Sequence, residues 1–246
     1  MINTGLIGNG YWGKIIQSKL DKLSNLIFIQ SSTNYDPSVF SKVDWIFIAT
    51  PTKTHFSIVK DCLAQGKNVF VEKPFCSNLN EALELASLFN KSNSKLYVNN
   101  LFLERKEMLF FTKNNYREIC FKWHKPGPFN DNIFNDLLYH DLYILIHKLG
   151  FQNITKINSF KNNFNNLLIS FLFGTCKVKL DYKRRLDLIK KKTISIDNHD
   201  ICFLNTDDDP LSKIIKDCLN NNINLNDNQN INLHTMKLLD LLKKSC

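Results

Sequence analysis

Three side chains of this sequence have types and positions suited to proton transfer: Lys73, Asp136 and His140. Asp136 and His140 are four residues apart, so on a helix they would project from the same face, one turn apart. An imidazole titrates near neutral pH and can act as a general acid or base, while the carboxylate could bind hydroxyl groups. The alternative interpretation is a solvated pair that supports an otherwise apolar helix.

Lys73 belongs to Glu72-Lys73-Pro74, directly after the apolar run Asn68–Val71, which we predict to be a strand. At the carboxyl end of a strand an ammonium group can point at a substrate oxygen, and partial desolvation lowers the pKa of a lysine. Glu72 could orient Lys73 or contact a cofactor. A surface lysine ahead of a turn proline is the alternative interpretation.

A glycine-rich loop, G-x-G-x-x-G, follows a short apolar strand and precedes a helical run from Lys14 to Leu20. In such a unit the first glycine permits a tight turn, the second lets a pyrophosphate approach the backbone, and the third lets the helix pack on the strand. The helix N-terminus offers free N–H groups to the phosphates. The alternative is a glycine-rich surface turn. The residues of this predicted dinucleotide site are Gly8, Asn9, Gly10, Tyr11, Trp12 and Gly13.

The next predicted strand, Leu26 to Ile29, ends in Gln30-Ser31-Ser32. In dinucleotide-binding folds a carboxylate about 20 residues past the glycines usually binds the ribose 2′-hydroxyl. Ser31 and Ser32 occupy this window and would meet the ribose instead. The missing carboxylate permits a 2′-phosphate, but no arginine is there to bind one, so NAD and NADP both remain open as cofactors.

Apolar runs alternate with helical patterns as far as residue 100, which predicts a doubly wound parallel sheet over residues 1–100. Ligands of such sheets bind beyond the carboxyl ends of the strands. Thr50, Pro51 and His55 follow the predicted strand Trp45–Ala49 and would therefore lie at that edge. His55 could orient the turn at the cofactor, or it could be a helix-start histidine without chemistry.

Residues 101–246 show a different pattern, typical of an α+β domain with a largely antiparallel sheet. Val178, Leu180 and Tyr182 alternate with polar neighbours, which indicates a half-exposed strand. We predict a loop over Asn220–Asn232. The predicted helices are Phe102–Lys113, Ile133–Lys148 and Leu233–Leu242. The predicted strands are Glu118–His124, Lys156–Phe160, Leu167–Phe173, Cys176–Tyr182, Leu186–Lys190 and Thr193–Ile196.

The composition, with 43% hydrophobic and 22% charged residues, is that of a globular protein. No apolar run approaches the ~18 residues of a membrane span, and we expect neither membrane nor signal segments. Seven scattered cysteines without a C-x-x-C pair indicate the cytoplasm and no metal site. The net charge is +9, but the clusters 183–185 and 190–192 lie among leucines and isoleucines, so we predict a solvated sheet face rather than a nucleic-acid site.

Four motifs, in this order and spacing, resemble the glucose–fructose oxidoreductase/inositol dehydrogenase (Gfo/Idh/MocA) family. They are Gly8–Gly13, Ala49-Thr50-Pro51 with His55, Glu72-Lys73-Pro74, and Asp136–Asp141, which is similar to the family's D-x-G-x-H-D/E stretch. The resemblance implies an NAD(P)-dependent oxidoreductase acting on a sugar, cyclitol or sugar nucleotide, with Lys73 beside the nicotinamide. It also implies a homo-oligomer formed through the outer face of the second-domain sheet.

In the last of these motifs Leu138 stands in place of the usual glycine. Two further departures from the family pattern support an alternative: Tyr143 replaces a further aspartate, and the chain is shorter than most members, so the second domain has lost strands or loops. The alternative is a non-catalytic dinucleotide-binding protein with a regulatory or assembly role. The G-Y-W-G version of the loop, residues 10–13, resembles that of family members that serve nucleotide-sugar or surface-glycan biosynthesis, which is the metabolic setting that the resemblance implies.

Overall fold

The computed structural model describes residues 1–112, 115–126, 132–163, 165–203 and 209–245. The chain divides into two compact units. The first unit comprises residues 1–101 and 209–233, and the second comprises residues 102–208 and 234–246. Residues 209–233 therefore group with the first unit, although the sequence pattern assigned the whole of 101–246 to the second domain.

The first unit is built on a five-stranded parallel sheet, which confirms the predicted doubly wound fold. The strands are β1 (Asn3–Ile7), β2 (Asn25–Gln30), β3 (Trp45–Ile48), β4 (Asn68–Val71) and β5 (Leu96–Val98). The helices between them are α1 (Tyr11–Leu23), α2 (Thr52–Ala64) and α3 (Leu79–Lys91), with a 3₁₀ helix at Pro37–Lys42. β3 and β4 are almost entirely apolar because both faces of a parallel sheet are covered.

The spatial order of the strands is β2–β1–β3–β4–β5, so the direction of winding reverses between β1 and β3. The loops after these two strands leave the sheet on opposite sides and open a crevice at its carboxyl edge. Backbone bonds extend the ladder past the strand ends, from Gly8 N to Gln30 O at 2.8 Å and from Glu72 N to Ile48 O at 2.9 Å. The predicted site loops of the first unit thus start from aligned strand ends.

The helix α5 (Pro210–Leu219) explains why a late stretch of the chain belongs to the first unit. Its apolar face is buried in a cluster with Leu6, Ile16 and Leu20. The residues of that face are Leu211, Ile214, Ile215, Cys218 and Leu219. Burying a complete apolar face outweighs position in the sequence, because hydrophobic burial is the main favourable contribution to folding.

The predicted loop Asn220–Asn232 is wrong, because a helix, α6 (Leu225–Ser245), begins inside it. Its asparagines serve as specific hydrogen-bond partners. The Asn228 side chain accepts from Val98 N at 2.9 Å and donates to Val98 O at 3.0 Å, as a neighbouring strand would. Asn228 thereby satisfies the edge of β5, a contact that composition alone does not reveal.

The second unit carries a six-stranded sheet in the order β11–β10–β6–β9–β8–β7, with only the β6–β9 pair parallel. This arrangement confirms the predicted, largely antiparallel second sheet. The strands are β6 (Glu118–Lys125), β7 (Ile154–Asn163), β8 (Asn166–Phe173), β9 (Cys176–Arg184), β10 (Lys191–Ile196) and β11 (His199–Phe203). The helix α4 (Tyr139–Leu149) follows a π-helical turn, Phe134–Leu138, and lies on one face of this sheet, where Asp141 bonds to Trp123 and Tyr182.

Two local predictions for the second unit are wrong. Leu186–Lys190 is a turn between β9 and β10, in which Arg185 grips Asp187 through two hydrogen bonds of 2.9 and 2.7 Å. Leu186 and Ile189 are exposed there, so their apolar character does not mark a strand. In place of a helix over Phe102–Lys113, the chain forms two 3₁₀ helices, Leu101–Glu104 and Lys106–Phe110; residue 113 lies outside the described residues. Within the described part of the chain, no helix is long and apolar enough to cross a membrane.

Candidate functional site

The glycine loop between β1 and α1 has the close approaches that its spacing predicts. Gly8 has φ +117°, a backbone conformation that favours glycine, and a Cβ on it would lie 2.4 Å from the Ala49 carbonyl oxygen. A Cβ on Gly13 would lie 2.0 Å from the Gly8 carbonyl oxygen. Neither position can therefore accept a side chain without displacing backbone, which explains the first and third glycines from packing alone.

The second glycine has a different environment. A Cβ on Gly10 would meet no protein atom within 4 Å, so packing does not require a glycine there. Gly10 is also the N-cap of α1, and the first turn, from Tyr11 onward, contains no acidic residue. An open cradle in front of a helix N-terminus fits a pyrophosphate, which would occupy the space that a side chain would fill. Asn9, Tyr11 and Trp12 flank this cradle and are exposed.

The turn after β3 is tied to the turn after β4 by His55. This side chain is buried, and its Nε2 lies 2.8 Å from the Thr50 carbonyl oxygen while its Nδ1 lies 2.8 Å from the Pro74 carbonyl oxygen. Thr50 also accepts a 2.8 Å hydrogen bond from the Thr54 hydroxyl, and Pro51 is the N-cap of α2. His55 therefore joins the two turns that carry Thr50-Pro51 and Lys73-Pro74.

Lys73 stands directly beyond β4 and precedes a cis peptide bond to Pro74. Its backbone N–H donates to the carboxylate of Glu72, and the Asn99 amide donates to the same carboxylate at 2.8 Å. Glu72 is buried, and burial raises the pKa of its carboxyl group, against smaller opposing contributions from Asn99 and from the Lys73 charge and backbone N–H. Glu72 therefore acts on the backbone that presents Lys73.

A buried hydrogen-bond acceptor without a described partner lies beside Glu72, at the carboxyl edge of the first sheet. Within the described residues the Asn99 side-chain oxygen has no hydrogen-bond partner, although its amide group bonds to Glu72. An orphaned buried acceptor is costly unless a ligand or water completes it. Together with the Gly10 cradle it indicates that this edge of the sheet fits a polar ligand such as a dinucleotide.

At the end of β2, Ser31 and Ser32 are half-buried, and the Ser31 hydroxyl lies 3.2 Å from that of Thr33. Asp36 is held elsewhere, since its carboxylate accepts from both the backbone and the hydroxyl of Ser38 at 2.9 and 2.7 Å. These bonds lower the pKa of Asp36. The predicted ribose end thus presents hydroxyl groups, which accommodates NAD and does not itself exclude NADP.

In the second unit, Asp136 lies within the π-helical turn and His140 in the first turn of α4. The π-turn was not predicted, and such turns are frequent at functional sites. His140 packs against Phe102 and Trp123, at ring-centroid distances of 4.7 and 6.1 Å. The structure thus gives His140 an aromatic environment.

Two cations on the inner face of the sheet contact Asp136. Lys125 donates to both carboxylate oxygens at 2.5 and 2.7 Å, and Arg184 lies 3.3 Å from one of them. Arg184 is fully buried, whereas the Lys125 side chain is about one-third exposed. Asp136 therefore fixes Lys125 at the surface of this site, a residue that the sequence did not single out.

Two of the lysines and arginines predicted to lie on a solvated face are in fact in the core. Arg184 continues the buried alternation of Leu180 and Tyr182 along β9, and Lys192 lies on the buried side of β10, in step with Ile194. Both charges are accommodated because helix carboxylates meet them, Asp136 and Asp141 respectively. The period-2 pattern contains the signal, since it places Arg184 and Lys192 on the same side as the apolar residues.

No group of three or more His, Cys, Asp and Glu side chains that could hold a metal ion occurs in the described ranges of the chain. The six cysteines among the described residues form no disulfide with one another. The polar groups at the carboxyl edge of the first sheet can cradle phosphates and present one ammonium. Those of the second unit present an imidazole and a lysine–aspartate pair.

A dinucleotide-binding domain of the Rossmann type is the class that the first sheet and its glycine loop define. Residues 14–100 match the family model of an oxidoreductase family with an NAD-binding Rossmann fold, GFO_IDH_MocA. The matched region is about a third of the chain and includes the Ala49-Thr50-Pro51 and Glu72-Lys73-Pro74 motifs, and the predicted resemblance to the Gfo/Idh/MocA family is confirmed.

Two curated relatives match part of the chain. UDP-N-acetylglucosamine 3-dehydrogenase of Acidithiobacillus ferrooxidans is 24% identical over 175 residues, which cover 62% of this chain and 56% of that protein. The uncharacterized oxidoreductase YdgJ of Escherichia coli is 35% identical over 106 residues, which cover 35% of this chain and 31% of that protein. The matched stretch thus spans about half of the first relative and a third of the second.

Solved structures match nearly the whole chain. UDP-N-acetylglucosamine 3-dehydrogenase GnnA from Acidithiobacillus ferrooxidans has a TM-score of 0.83 at 16% identity, covering 97% of this chain and 95% of that one. The WlbA dehydrogenase from Thermus thermophilus, in complex with NAD and UDP-GlcNAcA, has a TM-score of 0.80 at 12% identity, covering 99% and 95%. At these identities the likeness establishes the fold of both units.

Proposed function

We propose that this protein is a cytoplasmic NAD(P)-dependent oxidoreductase that transfers a hydride between nicotinamide and a carbinol or carbonyl of a sugar, cyclitol or sugar nucleotide. The observation that carries the proposal is the arrangement at the edge of the first sheet. There the open cradle at Gly10, the clamped turn at Thr50 and the ammonium-bearing turn at Lys73 follow β1, β3 and β4, which are neighbours in the sheet. The family match over residues 14–100 supports the same conclusion.

The residues have distinct roles in this proposal. A bound nicotinamide would supply the hydride acceptor or donor. Lys73 would hold or deliver the proton of the reacting hydroxyl. Its turn is held in place by the hydrogen bond from the Lys73 backbone N–H to the Glu72 carboxylate. His140 would be the second proton-transfer group, and Asp136, through the Lys125 ammonium that it holds, would position substrate hydroxyls.

A sugar nucleotide is the substrate class that we favour. GnnA is a UDP-N-acetylglucosamine 3-dehydrogenase, the WlbA structure is a complex with NAD and UDP-GlcNAcA, and both share this fold. The chain has a net charge of +9, which suits an anionic cofactor and an anionic substrate. Surface-glycan biosynthesis is the corresponding metabolic setting that we infer.

The test begins with fluorescence titration of the purified protein with NADH and NADPH, after any cofactor carried through purification has been removed. UDP-sugars and free cyclitols are then screened by nicotinamide absorbance. Binding together with turnover of one substrate class is the expected result. A folded protein that binds neither dinucleotide would overturn the oxidoreductase proposal.

A non-catalytic dinucleotide-binding protein is the second candidate. It is favoured by Leu138 and Tyr143, which are buried at positions where the family resemblance implies a glycine and an aspartate. Dinucleotide binding without turnover of any sugar nucleotide would support this candidate. The presence of Lys73, Asp136 and His140 in one chain favours the enzyme.

We also infer a homo-oligomer formed through the outer face of the second sheet. On β9 that face presents Lys177, Lys179 and Lys183, and on β8 it presents the half-buried Leu168 and Leu172. The charges on this face predict that the stability of the assembly depends on ionic strength. Light scattering coupled to size exclusion, at low and high salt, would measure it; a monomer in both would contradict the inference.

A further inference from the structure

A lysine is buried in the second unit among three aromatic rings. The ammonium of Lys192, whose side chain is 4% exposed, lies 4.1 Å from the ring centre of Phe102, 4.0 Å from that of Trp123 and 5.3 Å from that of Phe203. These three rings form what we call the aromatic cage. A desolvated ammonium is attracted to the faces of aromatic rings, and the attraction is larger in the interior than at the surface.

The charge of Lys192 is matched by Asp141, which is fully buried. Lys192 donates to it at 2.5 Å, the Trp123 indole at 2.8 Å and the Tyr182 hydroxyl at 2.7 Å. The three donors form one cross-strand row, because Trp123 is paired with Lys192 on one side and with Tyr182 on the other. Burial and the Asp141 charge raise the pKa of Tyr182 well above its ordinary value, so its hydroxyl stays a donor.

Two rings of the aromatic cage also contact the candidate catalytic histidine. Phe102 meets the His140 ring edge to face at 4.7 Å, and Trp123 lies against it at 6.1 Å with an interplanar angle of 24°. Phe102 and Trp123 also pack on each other at 5.3 Å. A change in the position of the Lys192 ammonium must therefore be transmitted to the surface against which His140 rests.

A buried ion pair of this kind is a weak source of stability, since desolvation of both charges offsets their attraction. Replacement of a buried ion pair by apolar residues of similar volume is often neutral or stabilising. Stability is therefore a weak explanation for the two charges. Phe102 and Trp123, which contact both the Lys192 ammonium and the His140 ring, suggest a different role.

We propose that Lys192 is a positioning residue for His140: held by Asp141, its ammonium fixes Phe102 and Trp123, and those rings fix the imidazole. The proposal rests on the proposed function for the catalytic role of His140, but the positioning itself can be measured without turnover. Lys192 does not contact the substrate in this account, and it acts only through the aromatic cage.

The test replaces both charges together, Lys192→Met with Asp141→Asn, so that no unpaired charge remains in the core. The readout is the set of imidazole proton NMR signals of His140, assigned by comparison with His140→Gln. The ring currents of Phe102 and Trp123 displace these signals from those of an exposed histidine. We expect the double variant to move them toward the exposed values.

Lys191→Met is the matched control, because Lys191 is the preceding residue on β10 and is exposed on the other side of the sheet. It should leave the His140 signals in place. Unchanged signals in a folded double variant would overturn the proposal.

A second pair of variants covers the case in which the double variant does not fold. Phe203→Leu removes one ring of the aromatic cage and should displace the His140 signals. Tyr182→Phe removes a donor to Asp141 but leaves Lys192 and all three rings, so it should lower the melting temperature without moving those signals. Equal displacement by both variants, or by neither, would contradict a role for the aromatic cage.

Turnover adds an independent readout. In the double variant kcat should fall on the order of ten- to a hundredfold, because misplacing a catalytic group by about 1 Å has costs of that size. The KM for the dinucleotide should not change. If the wild-type protein shows no turnover at all, the proposed function fails, while the NMR signals still decide the positioning role.

Discussion

The side-chain amide of Asn99 donates a 2.8 Å hydrogen bond to the carboxylate of Glu72, and so links the ends of β5 and β4. Glu72 in turn accepts a hydrogen bond from the backbone N–H of Lys73. The candidate proton-transfer residue is therefore supported by a buried carboxylate, which is itself held by an amide. This chain of bonds explains how a lysine in a turn can have a defined position at the edge of the sheet.

The buried carboxylate makes stability depend on pH at this position. Burial raises the pKa of Glu72 in the folded state above the ordinary 4.5, so ionisation increasingly favours the unfolded state as pH rises from 4.5 through the raised folded-state pKa. Glu72→Gln keeps an acceptor for Asn99 and cannot ionise. We expect the unfolding free energy of this variant, relative to that of the wild type, to increase as pH rises from acidic to neutral. Urea titrations at a series of pH values would measure this difference.

Glu84→Gln is the control for that comparison, because Glu84 forms an exposed pair with Lys60 at 2.8 Å. Exposed pairs contribute about 0–1 kcal/mol, so this variant should follow the wild type closely at every pH. A Glu72→Gln difference that stays constant from acidic to neutral pH would show that burial does not perturb this carboxyl group.

Gly10 and Gly13 allow cofactor binding to be separated from packing. Gly10→Ala adds a methyl group to open space, so the melting temperature should hold while NADH affinity falls about tenfold or more, ~1.4 kcal/mol or more. Gly13→Ala places a methyl group 2.0 Å from a backbone oxygen, and overpacking of that kind costs about 1–3 kcal/mol of stability. Calorimetry and fluorescence titration measure both effects. Normal NADH binding by Gly10→Ala would argue against a pyrophosphate at this cradle.

Lys73→Met tests the proposed proton transfer. General acid–base groups contribute about 10²–10⁴-fold to rate, so kcat should fall by that order while the dissociation constant for NADH changes little. Lys60→Met, which removes a half-exposed lysine from α2, should leave both values unaltered. Wild-type turnover in Lys73→Met would remove Lys73 from the mechanism.

The parts of the structure that local sequence predicted are those that local physics determines. The parallel strands follow from short apolar runs, such as Asn68–Val71, that end at aligned turns. The third glycine follows from a contact inside the loop, between Gly13 and the Gly8 backbone, and the first follows from the approach of Gly8 to Ala49 at the end of β3, which is beside β1 in the sheet. In these places propensity, pattern and packing agree, so the sequence alone was sufficient.

The parts of the structure that the local sequence did not predict depend on contacts between residues distant in the chain. Asparagine is typical of loops, yet Asn228 lies in a helix because Val98, 130 residues away, pairs with its side chain. Lysine and arginine are typical of solvated faces, yet Lys192 and Arg184 are buried because Asp141 and Asp136 meet them from the helical segment packed on the sheet. Propensity is a weak guide wherever a tertiary hydrogen bond or ion pair decides the environment.

Because Asp136 contacts two cations of different exposure, we expect Asp136→Asn and Lys125→Met to affect different quantities, stability in the first case and substrate binding in the second. Asp136→Asn removes the negative charge that faces the fully buried Arg184, and breaking a buried pair costs about 3–5 kcal/mol. Lys125→Met should cost less stability, because the Lys125 side chain is about one-third exposed, but it removes the ammonium that we place against substrate hydroxyls. We therefore expect Asp136→Asn to lower the melting temperature strongly, and Lys125→Met to raise the KM for the sugar substrate with a nearly normal melting temperature. Thermal denaturation and steady-state kinetics on the same preparations measure both quantities.

The reverse pattern, with a stable Asp136→Asn and an unfolded Lys125→Met, would mean that Lys125 and not Asp136 anchors this cluster.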